Sequence, residues 1–201
     1  MKEKLTIQIC TPGNNFSADF IQGYIDIVLW GVRNKCIMGF NFIRGANIYK
    51  LRDNLISLKG GPIFEGKEYD YVLWIDSDQV FNANCLQTLI DADKDIITAL
   101  IRTDTPDRVE YAQNINGERL TPETLPDKEH PFEVDTAGFG FTLIKQGVYE
   151  LLEYPYHGPE WTDKTEYTSE DDGFAIKAKR AGFTLHAHPK VLVGHEKRVI
   201  L

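Results

Sequence analysis

The order of apolar and polar positions divides the chain into short alternating strands and helices. Leu5-Thr6-Ile7-Gln8-Ile9 alternates with a period of two, which marks a strand. It runs into Cys10-Thr11-Pro12-Gly13-Asn14-Asn15, a loop of turn formers. Ser17 is placed to cap a helix whose apolar positions Phe20, Tyr24, Ile27, Val28 and Gly31 keep helical spacing. A strand over residues 39–44 follows. A second helix is marked by Ile48, Leu51, Leu55 and Leu58 and closed by Gly60-Gly61-Pro62. Tyr71-Val72-Leu73-Trp74-Ile75 is a continuous apolar run, as in strands covered on both faces, and it stops abruptly at Asp76-Ser77-Asp78. A helix over 84–91 and a buried strand over 95–101 complete a β-α-β-α-β-α-β series. That series predicts an α/β fold with a parallel sheet.

Beyond residue 102 the pattern changes. Residues 109–113 alternate, Asn116-Gly117 is a hairpin signal, and 121–131 is a loop with three prolines. Residues 132–144 are strand-like but broken by Gly138 and Gly140. Val148, Leu151 and Leu152 predict a short helix, and 154–168 is irregular and rich in aromatics. Ser169 begins a helix carrying Phe174, Ala178 and Ala181, which Gly182 ends. Short strands over 183–187 and 191–193 lead directly to Gly194-His195. With no linker or repeat, the 201 residues form one domain whose two halves share a sheet.

Composition narrows the partners. No apolar run reaches membrane length, and Met1-Lys2-Glu3-Lys4 leads straight into strand-like alternation without a leader. Cys10, Cys36 and Cys85 are scattered and odd in number, matching neither a zinc site nor a disulfide framework. A soluble protein of a reducing compartment, the cytoplasm, is the expectation. The formal charge of -8, without a basic block, argues against nucleic acid as the main partner. It also sets a condition: a phosphate ester would need a metal to bridge it to carboxylates.

Three groups stand at element ends, where α/β folds place functional residues. Asp76 and Asp78, beyond the central strand, supply hard oxygen ligands, and His195 would add a nitrogen. Mixed oxygen and nitrogen ligation suits Mn2+, or Mg2+. His186 and His188 are rivals for the nitrogen. The two aspartates can equally serve as turn or helix-capping residues. In Ser169-Glu170-Asp171-Asp172, serine and Asp172 form a capping-box pattern, but a cap does not require three consecutive acids. One carboxylate there could act as a general base.

The order of D-x-D after a strand, then Asp135-Thr136-Ala137-Gly138-Phe139-Gly140-Phe141, then E-D-x-x-F with A-x-x-A-G-F, then V-G-H resembles the GT-A glycosyltransferases, especially small family 2-like members. The likeness extends from Leu5 to His195. It implies a GT-A fold with a mixed, mainly parallel central sheet flanked by helices. The nucleotide-binding half would be about 1–102 and the acceptor and catalytic half about 103–201. It further implies a nucleoside diphosphate sugar donor, UDP-sugar favoured, and a carbohydrate or glycoconjugate acceptor. Asp76, Ser77 and Asp78 would hold the metal-diphosphate, with His195 completing the metal site. Thr11, Pro12 and Gly13 would lie against the nucleotide, and Arg52 near the nucleotide sugar. Asp53, inserted between Arg52 and Asn54, departs from the family's pattern and leaves Asn54 without a clear role. Gly138 and Gly140 would allow close approach to donor and acceptor. Asp171, with Glu170 beside it, matches the base of inverting members.

The aromatic loop from Tyr154 to Trp161 could form an acceptor platform and lid, or simply pack on the core. Two other classes fit parts of the sequence. Asp76-Ser77-Asp78-Gln79-Val80 matches the D-x-D-x-[TV] pattern of HAD-type phosphatases, with Asp76 as nucleophile, although those carry it on the first strand. A non-catalytic nucleotide- or carbohydrate-binding module would carry the same donor residues without turnover.

Overall fold

The computed structural model describes residues 4–103, 109–163 and 165–196; the chain start at Met1 to Glu3 lies outside them. Strand β1 (Thr6–Pro12) is buried at every position. It runs three residues further than its alternation predicts, because Cys10, Thr11 and Pro12 pair with Asn41, Phe42 and Ile43 of β2 (Ile37–Ile43). Helix α1 (Ala18–Arg33) is capped by Ser17, whose side chain accepts from the Phe20 N–H as expected. Helix α2 (Ile48–Ile56) begins at an Asn47 cap and stops before Leu58, which sits exposed in a 3-10 turn. The central strand β3 (Tyr71–Ile75) ends where the aspartates begin.

After it come β4 (Gln79–Val80), α3 (Ala83–Asp91) and β5 (Ile96–Ile101). Asn114–Ile115 and Glu118–Arg119 form a separate hairpin, β6 and β7, turned by Asn116 and Gly117 with φ of 54° and 79°. Two positive φ values in succession are what this turn requires. Residues 109–113 form no strand; Tyr111 forms an isolated bridge with Arg102, and its N–H donates to Leu120 O. Then follow β8 (Phe132–Val134), β9 (Phe141–Lys145), α4 (Val148–Leu151), α5 (Glu170–Arg180) and β10 (Leu185–His195). The two short terminal strands of the sequence are one strand, with a register shift between His188 and Leu192.

The sheet order is β2-β1-β3-β9-β5-β10-β4, with β8 on β10. Strands β1, β2, β3, β5 and β10 run the same way, and β9 lies antiparallel between β3 and β5. The sheet is therefore mixed and mainly parallel, and the second half of the chain completes the first. Alternation along β3 feeds two cores. Val72 and Trp74 pack with Ile56, Tyr149 and Phe174 under α2, α4 and α5; Leu73 and Ile75 pack with Phe20, Ile27 and Leu86 under α1 and α3. Helices on both faces bury the strands, which is why β3 reads as continuously apolar. The parallel strands end at one rim. Because β9 runs the other way, its start brings Gly138 to Gly140 to that same rim. No described helix is long and apolar enough to cross a membrane.

Candidate active site

At the rim, the backbone of Asp76 is tied down at both ends. Its N–H donates to Gly140 O at 3.0 Å, and its carbonyl accepts from Gln79 N at 3.2 Å. The side chain is held by Arg52, whose Nη1 and Nη2 donate to Oδ1 and Oδ2 at 3.0 Å each. Such a bidentate pair is geometrically specific as well as strong. Arg52 reaches the site because it lies on the buried stripe of α2, one turn after Ile48 and one before Ile56. It is only 2 % exposed. Its guanidinium lies 5.3 Å from the Trp74 ring centroid and 5.2 Å from that of Phe139.

The same guanidinium meets the start of α5, with Nε 3.5 Å from Glu170 Oε1 and Nη2 3.6 Å from Asp171 Oδ1. Three carboxylates thus surround one cation. Burial works against the charge on Arg52, and Asp76 and Asp171 outweigh it, so its pKa stays above the ordinary range. The cation cannot balance all three acids. Asp171 receives a hydrogen bond from the Phe139 backbone, but its Oδ1 is buried without a hydrogen-bond partner. Burial pushes its pKa up to about 8; Arg52 opposes the shift, and Glu170 and Asp76 add to it. The side chain keeps 24 % exposure, and Oδ2 lies 3.9 Å from where a Cβ on Gly138 would stand.

The acids at the start of α5 therefore divide. Ser169 is the cap and Asp172 its partner: the Asp172 N–H donates to Ser169 Oγ, and Asp172 Oδ2 accepts from the same hydroxyl at 2.9 Å. Glu170 and Asp171 turn inward to Arg52.

Asp78 faces a different partner. Its Oδ2 lies 3.0 Å from His195 Nε2, and its Oδ1 accepts from Gln79 Nε2 at 2.9 Å. The antiparallel pairing of β10 with β4, His195 opposite Gln79, makes this contact. Of the candidate histidines, only His195 arrives here. His186 and His188 lie nearer the other end of β10, opposite Ile97 and Ala99, and His188 Nδ1 accepts from Lys190 N.

The expected metal trio is thus divided, with Asp78 on His195 and Asp76 on Arg52. Among the described residues, no group of three or more His, Cys, Asp or Glu side chains could hold a metal. The remaining pair, Asp78 Oδ2 and His195 Nε2, is joined by a direct hydrogen bond. Two neighbouring ligands at about 2.1 Å on an octahedral ion stand about 3.0 Å apart, the separation of Asp78 Oδ2 from His195 Nε2. Asp78 also lines the open cleft.

That cleft has a volume of about 270 Å3 and is lined by Pro12, Gly13, Arg52, Asp76, Asp78 and Glu170, among others. A second of about 390 Å3 shares Gly13, Ser77 and Asp78 with it and extends to Asn14, Ser17 and Glu196. Gly13 is required here: with φ of 151°, its Cβ would fall 2.2 Å from Ser77 Oγ. Gly140 makes room for Gln79, whose side-chain Cδ would lie 2.7 Å from an added Cβ. Thr11 is fully buried, and Asn54 lines a separate polar cavity with Gln8 and Asn41. Neither lines the two clefts.

In the aromatic loop, Tyr156 and His157 are core residues. The His157 imidazole stacks on Phe174, Nε2 lies 3.1 Å from the Tyr149 hydroxyl, and the His157 backbone N–H donates to Oδ1 of buried Asp53. Burial holds its pKa well below the usual range, with Arg52 and Lys177 adding to the effect. Trp161 is 69 % exposed and packs edge-on against Tyr167, ring centroids 5.6 Å apart, in the segment before α5.

Sequence reasoning missed two features: Arg52 as the junction of both acid groups, and Gln79 as the partner of Asp78. An arginine on the apolar stripe of α2 is a signal for the first. Nothing local marks the second.

No protein-family model matches the chain, and no curated protein matches it in sequence. Solved structures match it in fold. The chain is similar to A197 from STIV, with a TM-score of 0.60 and 17 % identity over 96 % of this chain and 86 % of that one. It is similar to GalNAc-T7, solved with UDP, GalNAc and Mn2+, with a TM-score of 0.60 and 15 % identity over 99 % of this chain and 45 % of that one. It is also similar to a Drosophila β-1,4-galactosyltransferase 7, solved with manganese, UDP-Gal and xylobiose, with a TM-score of 0.54 and 10 % identity over 96 % of this chain and 71 % of that one. At these identities the likeness is one of fold, and the fold is GT-A-like.

Proposed function

We propose that the protein is a metal-dependent glycosyltransferase that moves a sugar from a nucleoside diphosphate sugar to an acceptor hydroxyl, with inversion at the anomeric carbon. The observation that carries this reading is the Arg52 cluster. One buried cation joins the carboxylate beyond the central strand to the acids at the start of α5, within 3.0 to 3.6 Å, on a GT-A-like fold. UDP is the favoured nucleotide, in keeping with its presence in two of the similar structures.

A cleft lined by Asp76, Asp78 and Glu170 repels a bare diphosphate. Asp78 and His195 would hold Mn2+ or Mg2+, which supplies charge neutralisation for the leaving diphosphate. Pro12, Gly13 and Ser77 shape the cleft for the nucleotide. Asp76 has both oxygens engaged by Arg52. Its role is to fix Arg52 rather than to attack phosphorus, so phosphoenzyme chemistry is not part of the proposal.

Asp171 removes the acceptor proton through Oδ2 as the hydroxyl oxygen attacks. Its raised pKa gives it more basicity than an ordinary carboxylate once the proton is lost. Exposed Trp161 and Tyr167 offer apolar faces to an acceptor sugar.

The reading is tested by incubating the protein with a panel of UDP- and GDP-sugars and mixed glycan acceptors, with Mn2+ or EDTA. Metal-dependent release of one nucleoside diphosphate coupled to a glycosylated product supports it. No nucleoside diphosphate release from any donor contradicts it.

A further inference from the structure

The two lateral edges of the sheet are built differently. On one side the chain leaves only two- and three-residue strands, β4 and β8, and brevity is a common way to blunt an edge. On the other side β2 runs for seven residues, Ile-Met-Gly-Phe-Asn-Phe-Ile, with no proline and no charge. Its hydrogen-bonding is half used. Ile37 N donates to Leu5 O, and Ile43 O accepts from Gly13 N, so the odd positions face β1. Successive residues of a strand direct their N–H and C=O to opposite sides. Met38, Phe40 and Phe42 therefore turn theirs outward, and no described strand lies there.

The side chains beside this edge are equally unusual. Ile21, Ile25, Leu29 and Val32 form one exposed stripe on α1. The helix's polar residues Gln22, Asp26 and Arg33 lie on another flank. The stripe adjoins β2, because Tyr24 of α1 rests on both Phe40 and Phe42, with ring centroids 5.8 and 5.4 Å away. Phe16 continues the patch across Phe42. Exposure of these residues ranges from 37 % at Phe16 to 71 % at Val32. At about 150–200 Å2 per side chain, the patch presents roughly 600 Å2 of apolar surface, at the upper limit for a soluble monomer.

We infer that this face binds a second copy of the same chain, the two β2 strands pairing antiparallel about a two-fold axis so that one sheet runs through both subunits. Centring the axis on Phe40 puts Phe40 opposite its symmetry mate and Met38 opposite Phe42 of the partner copy. All outward N–H and C=O groups of the three residues are then used. The axis stands normal to the sheet, so the α1 helices meet on one face with their apolar flanks in contact. With the strand backbone and rim added, the buried area approaches the roughly 800 Å2 per partner of a standard interface. A lipid surface would cover the side chains but leave the strand edge unpaired.

Sedimentation equilibrium on the full chain tests the inference, together with hydrogen exchange at low and high protein concentration. The expected result is a dimer, with the Met38, Phe40 and Phe42 amides protected only where it is populated. The double variant Ile25→Glu, Leu29→Glu changes only exposed positions. It should keep the wild-type melting temperature and weaken association by about 100-fold or more.

A monomer at every concentration overturns the proposal. So does a dimer indifferent to the double variant, or one that leaves those three amides unprotected. Monomers that sediment with anionic phospholipid vesicles would assign the face to a membrane instead.

Discussion

Replacing Arg52 by methionine tests whether the buried guanidinium holds the site together. Methionine keeps most of the side-chain length under Trp74 and Phe139, so the chief loss is the charge. Each attraction at about 4 Å and an effective dielectric of about 20 is worth about 4 kcal/mol. Desolvation of the guanidinium and repulsion among the carboxylates offset most of that sum. Removing one partner of a buried pair costs about 3–5 kcal/mol. The lower end applies here, because Asp76, Glu170 and Asp171 keep 26, 16 and 24 % side-chain exposure. A loss of about 3 kcal/mol at pH 7.5 is expected.

The pH dependence separates charge from packing. Without the cation, Asp171 loses the charge that opposes its upward shift, so its folded-state pKa rises further above that of the unfolded chain. Groups of that kind stabilise below the unfolded carboxylate range and lose the contribution as pH rises through the folded values. With Asp171 already raised to about 8 in the wild type, the deficit should be nearly level at acid pH and grow as pH rises through about 8. Adding Asp171→Asn to Arg52→Met removes the buried acid that must take up a proton on folding and should recover at least about 1 kcal/mol. Urea unfolding of the single and double variants across this range measures all three effects. A deficit below about 1 kcal/mol at pH 7.5, or one that does not change with pH, would refute the assignment of Arg52 as the charge junction.

Asp171→Asn should retain metal-dependent nucleotide binding while transfer falls about 100- to 10,000-fold. Wild-type transfer should rise with pH to a limb near 8, as the base loses its proton, and the asparagine variant should lack that limb. Binding titrations and a pH–rate profile check the pair. Asp78→Ala and His195→Ala should each abolish the effect of Mn2+ on nucleotide affinity with the melting curve little changed; unaltered metal dependence would remove the residue from the site. Gly13→Ala should destabilise by about 1–3 kcal/mol through backbone strain and the clash with Ser77, and Ser77→Gly should return part of it, as thermal melts would show. Trp161→Ala should raise the acceptor KM and leave donor affinity unchanged; equal effects on both would move the tryptophan out of the acceptor site.

What could be read in advance follows the range of the interactions. The run from Tyr71 to Ile75 is recognisable as a buried strand because burial on both faces acts on each residue separately. Ser17 and Ser169 are recognisable as caps because their partners lie three residues away. Strand β9 is different: its place between β3 and β5 depends on pairing with residues far along the chain, and its own sequence carries no mark of direction. Strand β4 is two residues long and leaves no period to detect. Within the site, the two inward acids of α5 could be suspected, since the Ser169 cap needs only Asp172. Their partner could not be named, because Arg52 meets them only after α2, β3 and α5 have packed. The division of the two aspartates has the same origin. Residues 76 and 78 are neighbours in sequence, yet one is claimed by α2 and the other by β10.

The central claim is a metal-dependent donor site at Asp78 and His195 beside the Arg52 cluster. Its most direct test is calorimetric titration of the protein with UDP, GDP and orthophosphate, each with Mn2+ and with EDTA. The account predicts that one nucleoside diphosphate, UDP, binds with Mn2+ and loses its affinity in EDTA, while orthophosphate stays weak in both. Absence of nucleotide binding under every condition, or equal binding with and without the metal, would contradict it.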